Sequence, residues 1–267
     1  MSAEVIHGMP AEKYHSTLAL SKSGLDQFQR SPAHFRAWQD GLAVNETTPA
    51  MAFGSAFHCA ILEPVEYQKR YIAFAGDRRT KAGKEEYERL VSSGMTILTQ
   101  DQAEAISSMK LSLQSHPAAH KALCAGDTEV SCFDTFDGIK VKARIDLMPD
   151  HRDLYDCLAD IKTTQDASPA SFAKSAAQMR YHVQAAWYLR FFPTKRRFIF
   201  IAIEKTAPYE AAVYEMDDAA IAQGNAEIDK QLELFKSCQD FNSWPGYSTA
   251  IQKLNLPNWA YKPQTQE

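Results

Sequence analysis

Two alternating segments joined by Asp137-Gly138 constrain the fold of this chain more than any other feature. The stretch TEVSCFDTFDGIKVKARIDLM, residues 128–148, holds two strand-like runs around that dipeptide, and Asp-Gly is a strong signal for a tight β-hairpin. In the second run, the apolar face holds Ile139, Val141, Ala143 and Ile145, and the charged face holds Lys140, Lys142, Arg144 and Asp146. The sequence therefore predicts an antiparallel hairpin with one apolar and one charged face.

Segments downstream of the hairpin have the pattern of an α/β fold. LYDCLADIKTT predicts a third strand, and RFIFIAIEK and EAAVYEM predict two more. One helix is predicted from Ser168 to about Phe191 and another from about Asp217 to Cys238. This order of elements predicts an α/β core with a mixed central β-sheet.

The upstream half is predicted to be mainly helical. SKSGLDQFQRSPAHFRAWQDG reads as two short helices, the first capped by Ser21 or Ser23 and the second starting at Ser31-Pro32. MAFGSAFHCAILEPVEYQKRY has helical spacing, and a further helix is interrupted near Pro117. Residues 78–94 are charged and contain glycine, which favours a mobile loop or an exposed helix.

Length and composition indicate an ordinary soluble globular protein, long enough for one large domain or two small ones. We expect a single domain over residues 1–267, with 14–125 mainly helical, 126–217 as the catalytic core and 218–267 as a helix and tail. A net charge of −4 argues against a protein that coats nucleic acid, although carboxylates that bind metal still allow DNA as a substrate. Five cysteines without a C-x-x-C pair predict buried free thiols. The sequence shows neither a signal-like N-terminus nor a membrane-length apolar run, so we expect a cytoplasmic protein without a membrane partner.

Candidate catalytic residues follow the predicted strands in order. Glu129, Asp146 and Asp160 lie on or beside three successive strands, and Lys162 points to the same side as Asp160 because the two are two residues apart. Converging carboxylates repel unless a divalent cation joins them, and a nearby lysine can orient or deprotonate water. An isolated D-x-K pair has a prior of only roughly one in twenty for catalysis, and a histidine such as His58 is more often a core residue.

Five segments, from about Tyr14 to Asp217, raise those odds together. They are ALSKSGLDQFQRSPAHF, FGSAFHCAILEP, EVSCFDTFDGIKVKARIDLM, LADIKTTQDASPASFAKSAAQMRYHVQAAWY and FIFIAIEKTAPYEAAVYEMD. These segments resemble the exonuclease VIII (RecE-type) nucleases of phage and prophage recombination, within the PD-(D/E)XK superfamily. The resemblance implies a PD-(D/E)XK nuclease core, in which helices flank the mixed sheet, with additional N-terminal helices.

The resemblance also implies a metal site and the residues beside it. The expected metal site comprises His58, Asp146, Asp160 and the backbone carbonyl of Ile161. The residues expected beside it are the catalytic Lys162, Glu129 in the inner or outer metal shell, Gln184 and Tyr188 of a RecB-like Q-x-x-x-Y element, and the phosphate contacts Arg144 and Thr163. Gln184 is expected to place the lysine or the scissile phosphate, and Tyr188 to line the DNA cleft.

The implied activity is Mg²⁺-dependent degradation of linear double-stranded DNA from 5′ to 3′, leaving 3′ overhangs for strand annealing. Mn²⁺ is expected to substitute, and no iron–sulfur cluster is expected, because Ser31 stands where AddB-type relatives carry a cysteine. The implied partners are DNA ends, a RecT-like single-strand annealing protein and further copies of the chain in a homo-oligomeric ring. Two alternatives remain, an endonuclease of the same superfamily and a noncatalytic DNA-binding scaffold.

Overall fold

The structure is a computed structural model that describes residues 3–43 and 48–257; the end of the predicted tail, 258–267, lies outside the described residues. The strands are β1 Glu4–Ile6, β2 Tyr71–Phe74, β3 Thr96–Thr99, β4 Gly126–Phe136, β5 Ile139–Pro149, β6 Cys157–Thr164, β7 Arg197–Glu204 and β8 Ala211–Glu215. The helices are α1 Ala11–Ser16, α2 Lys22–Arg30, α3 Pro32–Gln39, α4 Pro49–Leu62, α5 Pro64–Arg70, α6 Lys81–Ser92, α7 Gln100–Ser115, α8 Pro117–Leu123, α9 Pro169–Gln178, α10 Tyr181–Leu189 and α11 Asp218–Asp240.

Six strands form the main sheet in the order β1-β4-β5-β6-β7-β8. β6 and β7 are parallel, because α9 and α10 cross over between them, and the other neighbours are antiparallel. The predicted α/β fold with a mixed sheet is therefore confirmed. A separate parallel pair, β2 and β3, flanks α6.

Helices cover both faces of the sheet. One apolar cluster joins the sheet to α2, α3, α9, α10 and α11, and includes the fully buried Trp187. The other joins it to α4, α7 and α8, around Phe57 and Met109. In the described ranges, no helix combines the length and the apolar character needed to cross a membrane.

Local signals explain several element boundaries. Asp137 and Gly138 both have positive φ, 50° and 86°, as a tight hairpin turn requires. The Ser21 hydroxyl accepts a hydrogen bond from Gly24 N at 3.2 Å and caps α2, and the Ser31 hydroxyl caps α3. The predicted starts of these two helices are confirmed, with Ser21 rather than Ser23 as the first cap.

The single helix predicted over residues 168–191 was wrong, because the structure has two helices there. Arg180 lies between α9 and α10 in the left-handed region, with a φ of 54°. A left-handed conformation is unfavourable for a residue with a Cβ. The Arg180 guanidinium offsets this cost by donating to Asp26 on α2 at 2.8 Å and to Glu227 on α11 at 3.1 Å. The sequence pattern also missed the short strands β1, β2 and β3 and the helix α1.

Candidate active site

The candidate site lies where β5 and β6 separate. These antiparallel strands pair at Leu147 and Ala159. Next to this pair, the Ile161 N–H, two residues after Ala159, donates to Asp146 Oδ2 at 3.1 Å. A side-chain carboxylate therefore satisfies this backbone donor, and the gap between the strands becomes a cleft lined by charged groups.

Asp160 and Lys162 form the β6 wall of this cleft, on the same side of the strand as predicted. Asp160 is buried, and its Oδ2 atom lies 2.5 Å from Lys162 Nζ. Its Oδ1 atom accepts a hydrogen bond from Gln184 Nε2 at 2.5 Å. Despite the ion pair, Oδ2 accepts no hydrogen bond of suitable geometry in the described part of the chain. A buried carboxylate oxygen in this state is available to a further ligand.

Lys162 is held between carboxylates and aromatic rings. Its Nζ atom lies 4.9 Å from the centre of the Tyr181 ring, which stacks on Phe200 at 5.3 Å. Burial lowers the pKa of Lys162, but the charges of Asp160 and Asp146 outweigh burial and raise it overall. Lys162 is therefore an ammonium at neutral pH and acts as a hydrogen-bond donor.

Asp146 and His58 form the opposite side of the site. His58 Nδ1 on α4 lies 3.4 Å from Asp146 Oδ2. Burial lowers the pKa of His58 to about 4, although the charge of Asp160 acts in the other direction. Burial and the charge of Asp160 raise the pKa of Asp146 well above its usual range. The site therefore combines a neutral imidazole with two carboxylates that repel each other.

These residues suit a hard divalent cation by their chemistry. Oxygen ligands are what Mg²⁺ prefers, and a cation would remove the repulsion between Asp146 and Asp160. The Oδ2 atom of Asp160, which pairs with Lys162 but accepts no hydrogen bond of suitable geometry within the described residues, supports this fit. Within residues 3–43 and 48–257, however, no three His, Cys, Asp or Glu side chains are already arranged to hold an ion. The ligands therefore need a small adjustment, or the backbone oxygen of Ile161, to complete coordination.

Arg144 holds Glu129 at the edge of the site. Glu129 has a φ of 52°, and its Oε2 atom accepts a short hydrogen bond from Arg144 Nε. The same guanidinium donates to Met9 O at 2.8 Å and to Ser131 Oγ at 3.0 Å, and lies 3.8 Å from Glu63. The sequence suggested that Arg144 contacts a phosphate. In the structure its side chain is only 10% exposed, and its guanidinium is bound to protein groups instead.

Other predicted residues lie on α10 and at the end of β6. Gln184 is buried and binds Asp160, so it supports the carboxylate directly. Tyr188 follows one turn later. Burial is the main cause that raises the pKa of its hydroxyl, and the charge of Asp160 adds to it. Thr163 lies against α4, where its Oγ1 atom would be 3.5 Å from a Cβ placed on Gly54.

Sequence reasoning missed Tyr181 and Arg180. Tyr181 lies three residues before Gln184, so the helical period places both on one side of α10. That signal became usable only with the correct start of α10 at Arg180. The Arg180 carbonyl accepts a hydrogen bond from Gln184 N at 3.2 Å, so this residue sets the position of Gln184.

One solved structure has a similar architecture. A crystal structure of a candidate exonuclease from Eubacterium rectale has a TM-score of 0.64 and 12% identity, and the alignment covers 94% of this chain and 97% of that one. At this identity the likeness shows the fold alone. The crystal structure of SSO0001 is 16% identical over 85% of this chain and 87% of that one, with a TM-score of only 0.29. No curated protein matches the sequence.

The family comparison covers most of the chain. Residues 21–257 match the model described as PDDEXK-like domain of unknown function (DUF3799). This range contains every residue of the candidate site, from His58 to Tyr188. The chain therefore belongs to the DUF3799 family of PDDEXK-like domains.

Proposed function

We propose that this protein is a Mg²⁺-dependent exodeoxyribonuclease of the exonuclease VIII (RecE) type. The proposed reaction removes nucleotides from 5′ ends of linear double-stranded DNA and leaves 3′ single strands for recombination by annealing. One observation carries the proposal: Asp146, Asp160 and Lys162 meet in a single cleft, with Gln184 bound to Asp160. Polarity and the preference for duplex ends rest on the sequence resemblance.

The metal ligands in this proposal are Asp146, Asp160, His58 and the carbonyl of Ile161. Mg²⁺, with Mn²⁺ as a substitute, would supply charge neutralisation at the phosphate and a more acidic water molecule. Glu129 is the candidate outer ligand, although Arg144 engages one of its oxygens.

The other residues of the site bind and orient. The Lys162 side chain is 20% exposed, so its ammonium can donate to a phosphate oxygen and stabilise the charge that develops on it. Gln184 keeps the Asp160 carboxylate in one rotamer, and the ring of Tyr181 limits the movement of the ammonium. Thr163 and Tyr188 are the proposed DNA contacts.

The proposed cellular context is cytoplasmic DNA recombination. A RecT-like annealing protein would receive the 3′ strand. Assembly into a homo-oligomeric ring would keep the enzyme on the duplex it degrades.

Digestion of labelled DNA tests the function. We expect a 5′-labelled linear duplex to release its label early as small products in Mg²⁺, whereas a 3′-labelled strand shortens gradually. Covalently closed plasmid should stay intact, and its rapid linearisation would instead identify an endonuclease. Lys162→Ala should abolish digestion, whereas Lys140→Ala, which removes an exposed charge from β5, should leave it unchanged. DNA binding without digestion by the wild-type protein would indicate the noncatalytic scaffold.

A further inference from the structure

An apolar groove lies between α9, β8 and the start of α11, and Phe200 of β7 contributes to its lining. It has a volume of about 380 Å³ and is lined by apolar side chains that include Phe172, Ala176, Phe200, Tyr214, Met216 and Ala220. This volume lies within the range of about 300–1,000 Å³ that is common for ligand pockets. β8 is the edge strand of the main sheet, so the groove opens where an incoming chain has room.

The groove is already formed in the single chain. Phe172 stacks on Tyr214 with ring centres 5.1 Å apart, and the Tyr214 hydroxyl donates to Ala167 O at 2.5 Å. These contacts fix the walls without a guest. A docked side chain would therefore fill existing space rather than having to create it.

An apolar segment that could fill this groove follows Tyr247, on another part of the surface. Beyond Tyr247 the described chain has no helix or strand up to residue 257. In this segment, Ile251 is 104% exposed and Leu254 is 87% exposed. The two side chains are three residues apart, and clustered exposed apolar surface is typical of an interaction site. Lys253 lies between them, and the groove has the acidic residues Glu215 and Asp217 on its rim.

The path of the chain argues against insertion into its own groove. Tyr247 is anchored near α3, where its ring lies 5.4 Å from that of His34, and it shares a hollow with residues 227–234 of α11. A charged ridge of Arg180, His182 and Glu227 lies between that hollow and the groove, since Glu227 lines the hollow and His182 lines the groove. In this ridge, Glu227 binds Arg180 at 3.1 Å and His182 at 3.2 Å. A segment that leaves Tyr247 would have to lie across this ridge, at a cost in desolvation of charged groups, to reach the groove of its own chain.

We propose that the groove binds the segment around Ile251 and Leu254 of a second copy of this chain. The segment and the groove are different surfaces, so each copy gives its segment to one neighbour and receives a segment from another. Such head-to-tail contacts produce a ring when the rotation closes. The proposal assigns an interface to the oligomer named under the proposed function, but it does not depend on the nuclease reaction.

Crosslinking between proteins that each carry one accessible cysteine tests the contact, because Cys59, Cys132, Cys157 and Cys238 are buried. Both proteins carry Cys124→Ser, because Cys124 is an exposed thiol. One then carries Leu254→Cys and the other Ala220→Cys, with a size tag on one of them. We expect mild oxidation of the mixture to join the two proteins. Replacing Ala220→Cys by Glu233→Cys, an exposed position further along α11, should prevent the product.

A protein with both Leu254→Cys and Ala220→Cys separates the two modes of docking. A bond within one chain, without products between chains, would overturn the proposal in favour of insertion into the chain's own groove. The absence of any tail-to-groove bond would overturn it as well.

Light scattering gives the second measurement. We expect the wild type to assemble, and Leu254→Asp and Ala176→Arg each to give monomers with unchanged circular dichroism. Gln252→Asp adds the same charge beside the apolar residues and should preserve assembly. Asp160→Asn should also assemble, so failure of the nuclease reaction leaves this test intact. A wild-type monomer, or a Leu254→Asp protein that assembles like the wild type, would refute the proposal.

Discussion

Two groups of charged residues on one face of β5 differ in how their charges are satisfied. The Lys142 ammonium donates to the carbonyls of Tyr14 at 2.8 Å, His15 at 3.2 Å and Thr17 at 2.8 Å, so it holds the end of α1. Four residues along, Asp146 accepts from Ile161 N and faces the like charge of Asp160.

The difference separates structural charge from functional charge. Lys142 and Arg144 have protein partners for their donors, and they fasten the N-terminal segment to the sheet. Asp160 is buried, Asp146 is partly buried, and their like charges repel each other; in the described residues, one oxygen of Asp160 accepts no hydrogen bond of suitable geometry. Burial of repelling charges costs stability, so we infer that these two are retained for a ligand.

The largest expected effect comes from Asp146→Asn. Its amide oxygen can still accept from Ile161 N, but the negative charge is lost. We expect nuclease activity to fall on the order of 1,000-fold, because a metal ligand and its charge are removed. The free energy of unfolding in EDTA at pH 7 should rise, because the raised pKa of Asp146 means that ionisation disfavours the folded state.

Urea denaturation and digestion of linear DNA measure the two effects. Asp150→Asn, at an exposed position just beyond β5, is the matched control and should change neither. An Asp146→Asn protein that is both less stable and fully active would reverse the assignment of this region.

A smaller effect is expected in the pH dependence of stability. His58 has a pKa of about 4 when folded and about 6.5 when unfolded. On acidification, His58 is therefore protonated in the unfolded chain before it is protonated in the folded chain. The contribution of neutral His58 to the free energy of unfolding is lost as the pH falls from 6.5 to 4. This loss amounts to at most about 3 kcal/mol. Asp146 has the opposite sign, because its raised pKa stabilises the folded state as the pH falls through the folded value.

His58→Asn should therefore lose less stability than the wild type between pH 7 and pH 4.5, measured by urea denaturation in EDTA. Asp146→Asn should lose more. The exposed His7→Asn is the control. Equal slopes in the wild type and in both variants would show that this pair does not contribute to acid sensitivity.

Lys142→Met tests the structural side of the comparison. It leaves three carbonyls near the end of α1 without their shared donor. We expect a loss of about 2 kcal/mol in the free energy of unfolding. Turnover per folded molecule should stay unchanged at low temperature. Lys140→Met, on the same face but exposed, should alter stability by less than about 0.5 kcal/mol. A Lys142→Met protein of normal stability that fails to digest DNA would move Lys142 into the functional group.

The alternation on β5 predicted that Lys142, Arg144 and Asp146 share a face, but it could not say which of them serve function. That distinction depends on partners distant in sequence, since Lys142 binds Tyr14 across 128 positions. The two-residue period sufficed for Asp160 and Lys162, because both lie on one short strand. The break at Arg180 was not predictable locally, because contacts with Asp26 and Glu227 stabilise its backbone conformation.

Arg144→Lys gives the smallest expected effect and sharpens the comparison most directly. Lysine keeps the positive charge but cannot donate at the same time in the directions of Glu129, Met9 and Ser131. We expect the free energy of unfolding to fall by about 1 kcal/mol. The dependence of DNA affinity on salt should stay unchanged, because the guanidinium is bound within the protein. Fluorescence anisotropy of labelled duplex at several salt concentrations measures this. A smaller salt dependence at wild-type stability would instead make Arg144 a phosphate contact, as the sequence alone suggested.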